Sequence, residues 1–142
     1  MERQRNKHKS NRKGIGVFMA NLQTAKSLSA NKRQTGTSYE IKAEEYLLQK
    51  GYQILERNFR NRSGEIDIIA KDGEYICFIE VKYRATNDYG SPFEAVDYRK
   101  QQQIRKVAMF YLMKNKLNEW TPCRFDVIGF VGEEMTHIQN AF

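Results

Sequence analysis

Residues 64–84 read GEIDIIAKDGEYICFIEVKYR. Two apolar runs flank Asp72-Gly73, a dipeptide suited to a tight hairpin turn. The stretch therefore predicts two antiparallel strands, 64–70 and 74–84, joined at Lys71–Gly73. Both are rich in Ile, Val, Phe and Tyr, the residues that fit a pleated and buried surface. Asp67, Glu80 and Lys82 interrupt them. Side chains alternate along a strand, so Glu65 and Asp67 share one face, as do Glu80 and Lys82. Ile66, Ile68, Ile79 and Val81 are expected to point the other way, into a core. If the register aligns the polar pairs, Asp67 and Glu80 become close neighbours. Two carboxylates that close are unfavourable without a cation. Either Lys82 or a hard divalent ion would answer that need. A solvated sheet face with a cross-strand Glu–Lys pair is the simpler alternative, stabilising by only a few tenths of a kcal/mol to about one.

Working outward, TSYEIKAEEYLLQKG (37–51) places Ile41, Ala43, Tyr46, Leu47 and Leu48 at helical spacing. Thr37 or Ser38 can cap its start and Gly51 its end. Residues 52–59 alternate as a strand and 61–64 turn the chain. Downstream, Ser91, Pro92 and Glu94 make a helix start. That helix is predicted to run from Pro92 to about Lys116, with a break near Asp97. CRFDVIGFV (123–131) is a fourth strand, and residues 135–142 add a short last one. The order α-β-β-β-α-β predicts an α/β domain, a mixed sheet flanked by helices. The long helical connection makes strands three and four parallel.

The 142 residues suffice for one domain with a single core. No run approaches the roughly 18–20 apolar residues of a membrane span. Cys77 and Cys123 lack zinc-site spacing and read as free thiols of a reducing, cytoplasmic setting. The net charge is +7, but residues 1–35 carry nine Lys or Arg against one acid, and the remainder carries 15 against 16. The basic character thus belongs to residues 1–35, read as an arm, with 36–142 as the folded domain. Residues 1–13 are predicted to be disordered. Residues 1–30 superficially resemble a secretory signal, but GIGVFMA is too short and too glycine-rich for its apolar segment. A disordered arm, a phosphate-binding arm and a start at Met19 all remain compatible with this stretch.

Asp67 followed by Glu80-Val81-Lys82 resembles the PD-(D/E)xK nuclease signature. More fully, the chain resembles the YraN-type family of uncharacterised bacterial proteins. The matching segments are Gly36-x3-Glu40, Ala43 with Tyr46-Leu47, Gly51–Leu55, Asn58-Phe59-Arg60, Gly64–Ala70, Phe78–Arg84, Gly90-Ser91-Pro92, Ala95-Val96, Arg124–Val127 and His137-Ile138-x-Asn140-Ala141-Phe142. Together they cover essentially all of residues 36–142. The resemblance implies a restriction-endonuclease-like fold, similar to archaeal Holliday-junction resolvases. It implies Mg²⁺ or Mn²⁺ held by Asp67, Glu80 and the Val81 carbonyl, with Glu40 completing the site directly or through water. Lys82 would orient or deprotonate the attacking water. The proline of the nominal signature is absent, since Ile66 precedes Asp67.

Candidate phosphate contacts are Arg57, Arg60, Arg62, Arg84 and Lys100, with Arg99, Arg105 and Lys106 beside them. Lys100 and Gln103, early in the second helix, are also candidates to approach the acidic site. Tyr39, Tyr83, Tyr89 and Tyr98 are candidates for base stacking, with core or rim packing as their ordinary alternative. Asp126 lies in an apolar strand, outside the ligand set, as a partner for Arg124 or a helix end. The functional expectation is a metal-dependent endonuclease-like protein acting on DNA, more than RNA, in branched or single-stranded form. Its alternative is a non-catalytic nucleic-acid-binding module that retains the fold. Symmetric cutting of two strands would need a homodimer, for which Tyr89 and Phe93 are surface candidates.

Overall fold

A computed structural model describes residues 11–142. Its elements are α1 (Asn11–Gln49), β1 (Gln53–Asn61), β2 (Gly64–Asp72), β3 (Tyr75–Arg84), two 3-10 turns (Asn87–Tyr89 and Pro92–Ala95), α2 (Tyr98–Lys114), β4 (Cys123–Val131) and β5 (Glu134–Ile138). The chain divides into two units, one ending at Thr35 and one spanning Gly36–Phe142. The second holds the sheet, α2 and the last turns of α1. No helix among the described residues is long and apolar enough to cross a membrane.

The α/β expectation holds. One five-stranded sheet has the spatial order β1-β2-β3-β4-β5. The β3–β4 pair is parallel, as its helical crossover requires, and the other pairs are antiparallel. The β2–β3 turn is Gly73-Glu74 rather than Lys71–Gly73, with Asp72 opposite Tyr75. Gly73 takes the left-handed conformation at φ 58°, which glycine adopts without steric cost.

One expected helix boundary is corrected, and the expected break near Asp97 is present. The first helix begins at Asn11, well upstream of a cap at Thr37 or Ser38. The Ala, Leu, Lys and Gln residues of 20–34 are good helix formers and no proline interrupts them. Residues 1–10 of the stretch expected to be disordered lie outside the described residues; 11–13 are helical. The predicted helix from Pro92 divides in two. Ser91 caps only the 3-10 turn, accepting the Phe93 N–H, and Asp97 starts α2 by accepting the Lys100 N–H at 2.8 Å.

The expectation of one core is also corrected: helices cover both faces of the sheet. Tyr39, Ala43 and Leu47 of α1 pack on Ile68, Ala70, Cys77 and Ile79. Ile104, Val107 and Ala108 of α2 pack on Ile66, Ile69, Phe78 and Val127 from the other side. Ile66 and Ile68, two residues apart, therefore enter different cores. The alternation breaks on the rung between the pairs Arg57–Ile68 and Phe59–Ile66, occupied by Asn58 and Asp67. Asn58 has φ 48°, a conformation asparagine tolerates better than most residues. Phe93, a candidate for a homodimer surface, is half-buried. Its ring and that of Pro92 lie so close to Gly129 that a Cβ there would meet them at 2.8 and 2.9 Å. This contact lays the turn before α2 directly on β4.

Candidate metal and nucleic-acid site

The β2–β3 ladder ends at Ile68 opposite Ile79. Beyond it, a side chain replaces the backbone partner: Asp67 Oδ2 accepts the Val81 N–H at 2.8 Å. Glu80 follows Ile79 and is only 3% exposed. Its Oε1 pairs with Lys82 Nζ at 3.1 Å and Lys100 Nζ at 3.2 Å, while its Oε2 is buried with no hydrogen-bond partner. Glu40 comes from α1. A groove of about 390 Å³ places Glu40 and Asp67 along one wall system with Glu44, Arg57 and Asn58.

Electrostatics tie these acids into one cluster. Burial, then the Glu80 carboxylate, then Glu40 push the Asp67 carboxyl up to about 8, against the opposing Val81 N–H and Lys82. Burial, Glu65 and Glu80 also raise Glu40, partly offset by an Asn58 hydrogen bond and by Arg60. Among the described residues, no three His, Cys, Asp or Glu side chains converge closely enough to hold an ion as they stand. The donor chemistry nevertheless suits a hard divalent cation: a bare buried carboxylate oxygen lies beside a carboxyl whose negative form is disfavoured by burial and by its acidic neighbours until a cation offsets the charge.

The raised Asp67 pKa has a testable consequence. The folded state binds a proton that the unfolded chain releases near pH 4, so Asp67 costs stability increasingly as pH rises from about 4 to about 8. In EDTA, Asp67→Asn is expected to gain stability over the wild type at pH 8 relative to pH 5, read from urea midpoints. Equal differences at both pH values would contradict the assignment.

The basic candidates occupy different settings. Arg57 is engaged by Glu44 of α1, and Arg60 pairs with Glu65 at 3.0 Å; both arginines are largely exposed. Arg62 is exposed in the β1–β2 turn, and Arg84 is half-buried at the end of β3. Lys100 stands inside the acidic cluster. Arg105 lies over the rings of Phe125 and Phe142, and so serves the C-terminal packing. Tyr39 is buried and stacks on Tyr83 at 4.0 Å, Tyr98 is exposed, and the Tyr89 side chain lies outside the described residues.

A second polar cluster escaped the sequence reading apart from its Arg124–Asp126 pair. Asp126 is fully buried and accepts four hydrogen bonds: two from Arg124, at 2.9 and 3.0 Å, one shared with His137 Nε2 at 2.9 Å, and the Asn140 N–H at 3.0 Å. Arg124 also reaches Asp72 and the Tyr52 hydroxyl, which Gln139 contacts in turn. A carboxylate two residues from an arginine inside an apolar strand was the available signal. The closing His137…Asn140 segment supplies the other partners.

The family model of the uncharacterised protein family UPF0102 matches residues 39–130, which contain Glu40, Asp67, Glu80, Lys82 and Lys100. A UPF0102 protein of Lachnoclostridium phytofermentans is 49% identical over 112 residues, covering 79% of this chain and 95% of that protein. Another from Thermodesulfovibrio yellowstonii is 49% identical over 109 residues, 77% of this chain and 96% of that protein. A third, from Fusobacterium nucleatum, is 46% identical over 110 residues, 78% and 92% of the two chains. None of these names carries an activity. Matched over most of its length by both the family model and these relatives, the chain belongs to the uncharacterised protein family UPF0102.

Proposed function

We propose that the protein is a divalent-metal-dependent phosphodiester hydrolase acting on DNA. The observation that carries this reading is the Glu80 carboxylate, with both lysines on one oxygen and nothing on the other, beside Asp67. Asp67, Glu80 and the Val81 carbonyl would hold Mg²⁺ or Mn²⁺, with Glu40 adding a direct or water-mediated contact. When bound, such an ion supplies a nucleophile from water near neutral pH and stabilises charge on the phosphate. Lys82 orients the attacking water or takes its proton, and its ammonium offsets charge at the phosphate. The exposed Arg57, Arg60 and Arg62, with Arg84 at the end of β3, would meet the nucleic-acid backbone. The basic residues of 1–35 would add sequence-independent attraction. Branched or single-stranded DNA, a homodimer and a cytoplasmic setting complete the reading.

The test incubates full-length protein with labelled single-stranded, duplex and four-way-junction DNA in Mn²⁺, Mg²⁺ or EDTA, beside Asp67→Ala. Cleavage in the metal-containing reactions that disappears in EDTA and in the variant is expected. Salt-sensitive binding with no cleavage under any condition would replace this reading with a non-catalytic binding module.

A further inference from the structure

Glu80 carries one negative charge, yet two ammonium groups converge on the same oxygen from different elements. One counter-ion would balance it. Holding a second long side chain in place costs rotamer entropy, so the duplication calls for an explanation.

The two lysines are mounted differently. Lys82 lies on β3, two residues beyond Glu80 and on the same face by strand alternation. Lys100 lies in the first turn of α2, a helix fixed to the sheet by Ile104, Val107 and Ala108. Its backbone N–H is held by the Asp97 cap at 2.8 Å. The first turn of a helix is a poor place for a cation, because the helix dipole puts partial positive charge there. This turn carries Arg99 and Lys100 and no acid. The carboxylate partner offsets that penalty for Lys100, whose side chain is 28% exposed against 4% for that of Glu80. Both ammoniums sit on Oε1, which leaves Oε2 bare.

We infer that Lys100 is a positioning residue, the fixed counter-ion that holds Glu80 by Oε1, presents Oε2 for the metal and leaves Lys82 free to leave Glu80 for the substrate. This inference rests on the metal-dependent reading above. It differs from a role for Lys100 in gripping the DNA backbone. Without Lys100, Lys82 would be the only cation bridging Glu80 among the described ion pairs, and it would be withheld from the reaction while the carboxylate lost one of its two anchors.

The experiment uses the full chain with Lys100→Met, which keeps the aliphatic stem, and Lys100→Arg, which can still pair with Oε1. Mn²⁺ affinity is measured by calorimetry without DNA, the salt dependence of DNA binding is measured in EDTA, and kcat and KM are measured separately. Lys100→Met is expected to weaken Mn²⁺ binding about 10–100-fold, as loss of a residue supporting a metal ligand commonly does. kcat should fall while KM for DNA and the salt slope stay unchanged, and Lys100→Arg should recover Mn²⁺ binding. Unchanged or tighter Mn²⁺ binding by Lys100→Met overturns the inference. So does a salt slope lowered by about one, the mark of a lost phosphate contact. A wild-type protein that binds no Mn²⁺ overturns the metal reading itself, whereas normal wild-type binding shared by Lys100→Met removes only the role of Lys100. If thermal melting shows Lys100→Met to be unfolded, Lys100→Gln takes the same measurements.

Discussion

Replacing Asp126 with alanine is expected to cost about 3–5 kcal/mol of stability, measured by urea unfolding at pH 7. A domain of this size is stable by only about 5–15 kcal/mol, so the variant would lose a large part of its margin. Asp126 is fully buried and accepts bonds from Arg124, His137 and the Asn140 N–H. Its removal takes from Arg124, whose side chain is 13% exposed, the buried one of its two carboxylate partners and leaves an N–H of the C-terminal segment without its acceptor. Burial alone would raise the Asp126 pKa, but the bonds from His137, Arg124 and Asn140 outweigh it and hold the carboxyl below its ordinary value. The stabilisation is therefore present above the ordinary carboxylate pKa of about 4 and is lost as pH falls through the depressed value. The deficit of the variant should accordingly narrow in strong acid. The double replacement Arg124→Met/Asp126→Leu should recover part of the loss, because it removes both buried charges and leaves only the half-exposed Asp72 without its partner. A cost below about 1 kcal/mol at pH 7 would show that the network is dispensable.

The network joins strands that are far apart in sequence. Tyr52 precedes β1, Asp72 ends β2, Arg124 and Asp126 lie on β4, and His137, Gln139 and Asn140 come from β5 and the residues after it. That separation explains its partial legibility. An acid two residues from an arginine in an apolar strand suggested a pair, but only the β4–β5 hairpin and the chain's return beside Phe125 deliver the other donors. The Ala141 N–H bonds to the Phe125 carbonyl at 2.7 Å, and the Phe142 ring stacks on Phe125. The motif Asn140-Ala141-Phe142 was visible in the sequence, whereas its anchoring role was not.

The hairpin was read more completely. Apolar density located β2 and β3, and strand alternation singled out Asp67, Glu80 and Lys82. Simple alternation then failed at one rung, where Asn58 turns left-handed opposite Asp67 and Ile66 and Ile68 part into separate cores. No period-two pattern encodes that break. The splay beyond Ile68–Ile79 matters to the site, because it turns the Asp67 carboxylate into the partner of the Val81 N–H. Lys100 was legible as a basic residue early in a helix and a candidate to approach the site, and it pairs with Glu80. Its direction into the acidic cluster depends on where α2 starts, and that helix is capped by Asp97, at the expected break, rather than by Ser91.

A large effect on catalysis that spares metal binding is expected at Lys82. Lys82→Met should lower kcat for metal-dependent DNA cleavage by about 10²–10⁴-fold, the range supplied by a positioned proton-transfer group. The substitution keeps the stem and removes the ammonium that lies 3.1 Å from Glu80 Oε1. Glu80 is not left unpaired, because Lys100 remains at 3.2 Å on the same oxygen. Stability should therefore change by less than about 1 kcal/mol, and Mn²⁺ binding should persist. This separates Lys82 from Asp67 and Glu80, whose removal should abolish metal binding as well as cleavage. Lys82→Arg divides the remaining possibilities. A guanidinium keeps the positive charge but does not deprotonate in proteins, so it can offset phosphate charge and cannot act as a base. Activity within about tenfold of wild type in Lys82→Arg would assign Lys82 to charge compensation; a loss equal to that of Lys82→Met would assign it to water activation. Wild-type rates in Lys82→Met itself would remove Lys82 from the reaction and leave its bond to Glu80 as a structural ion pair.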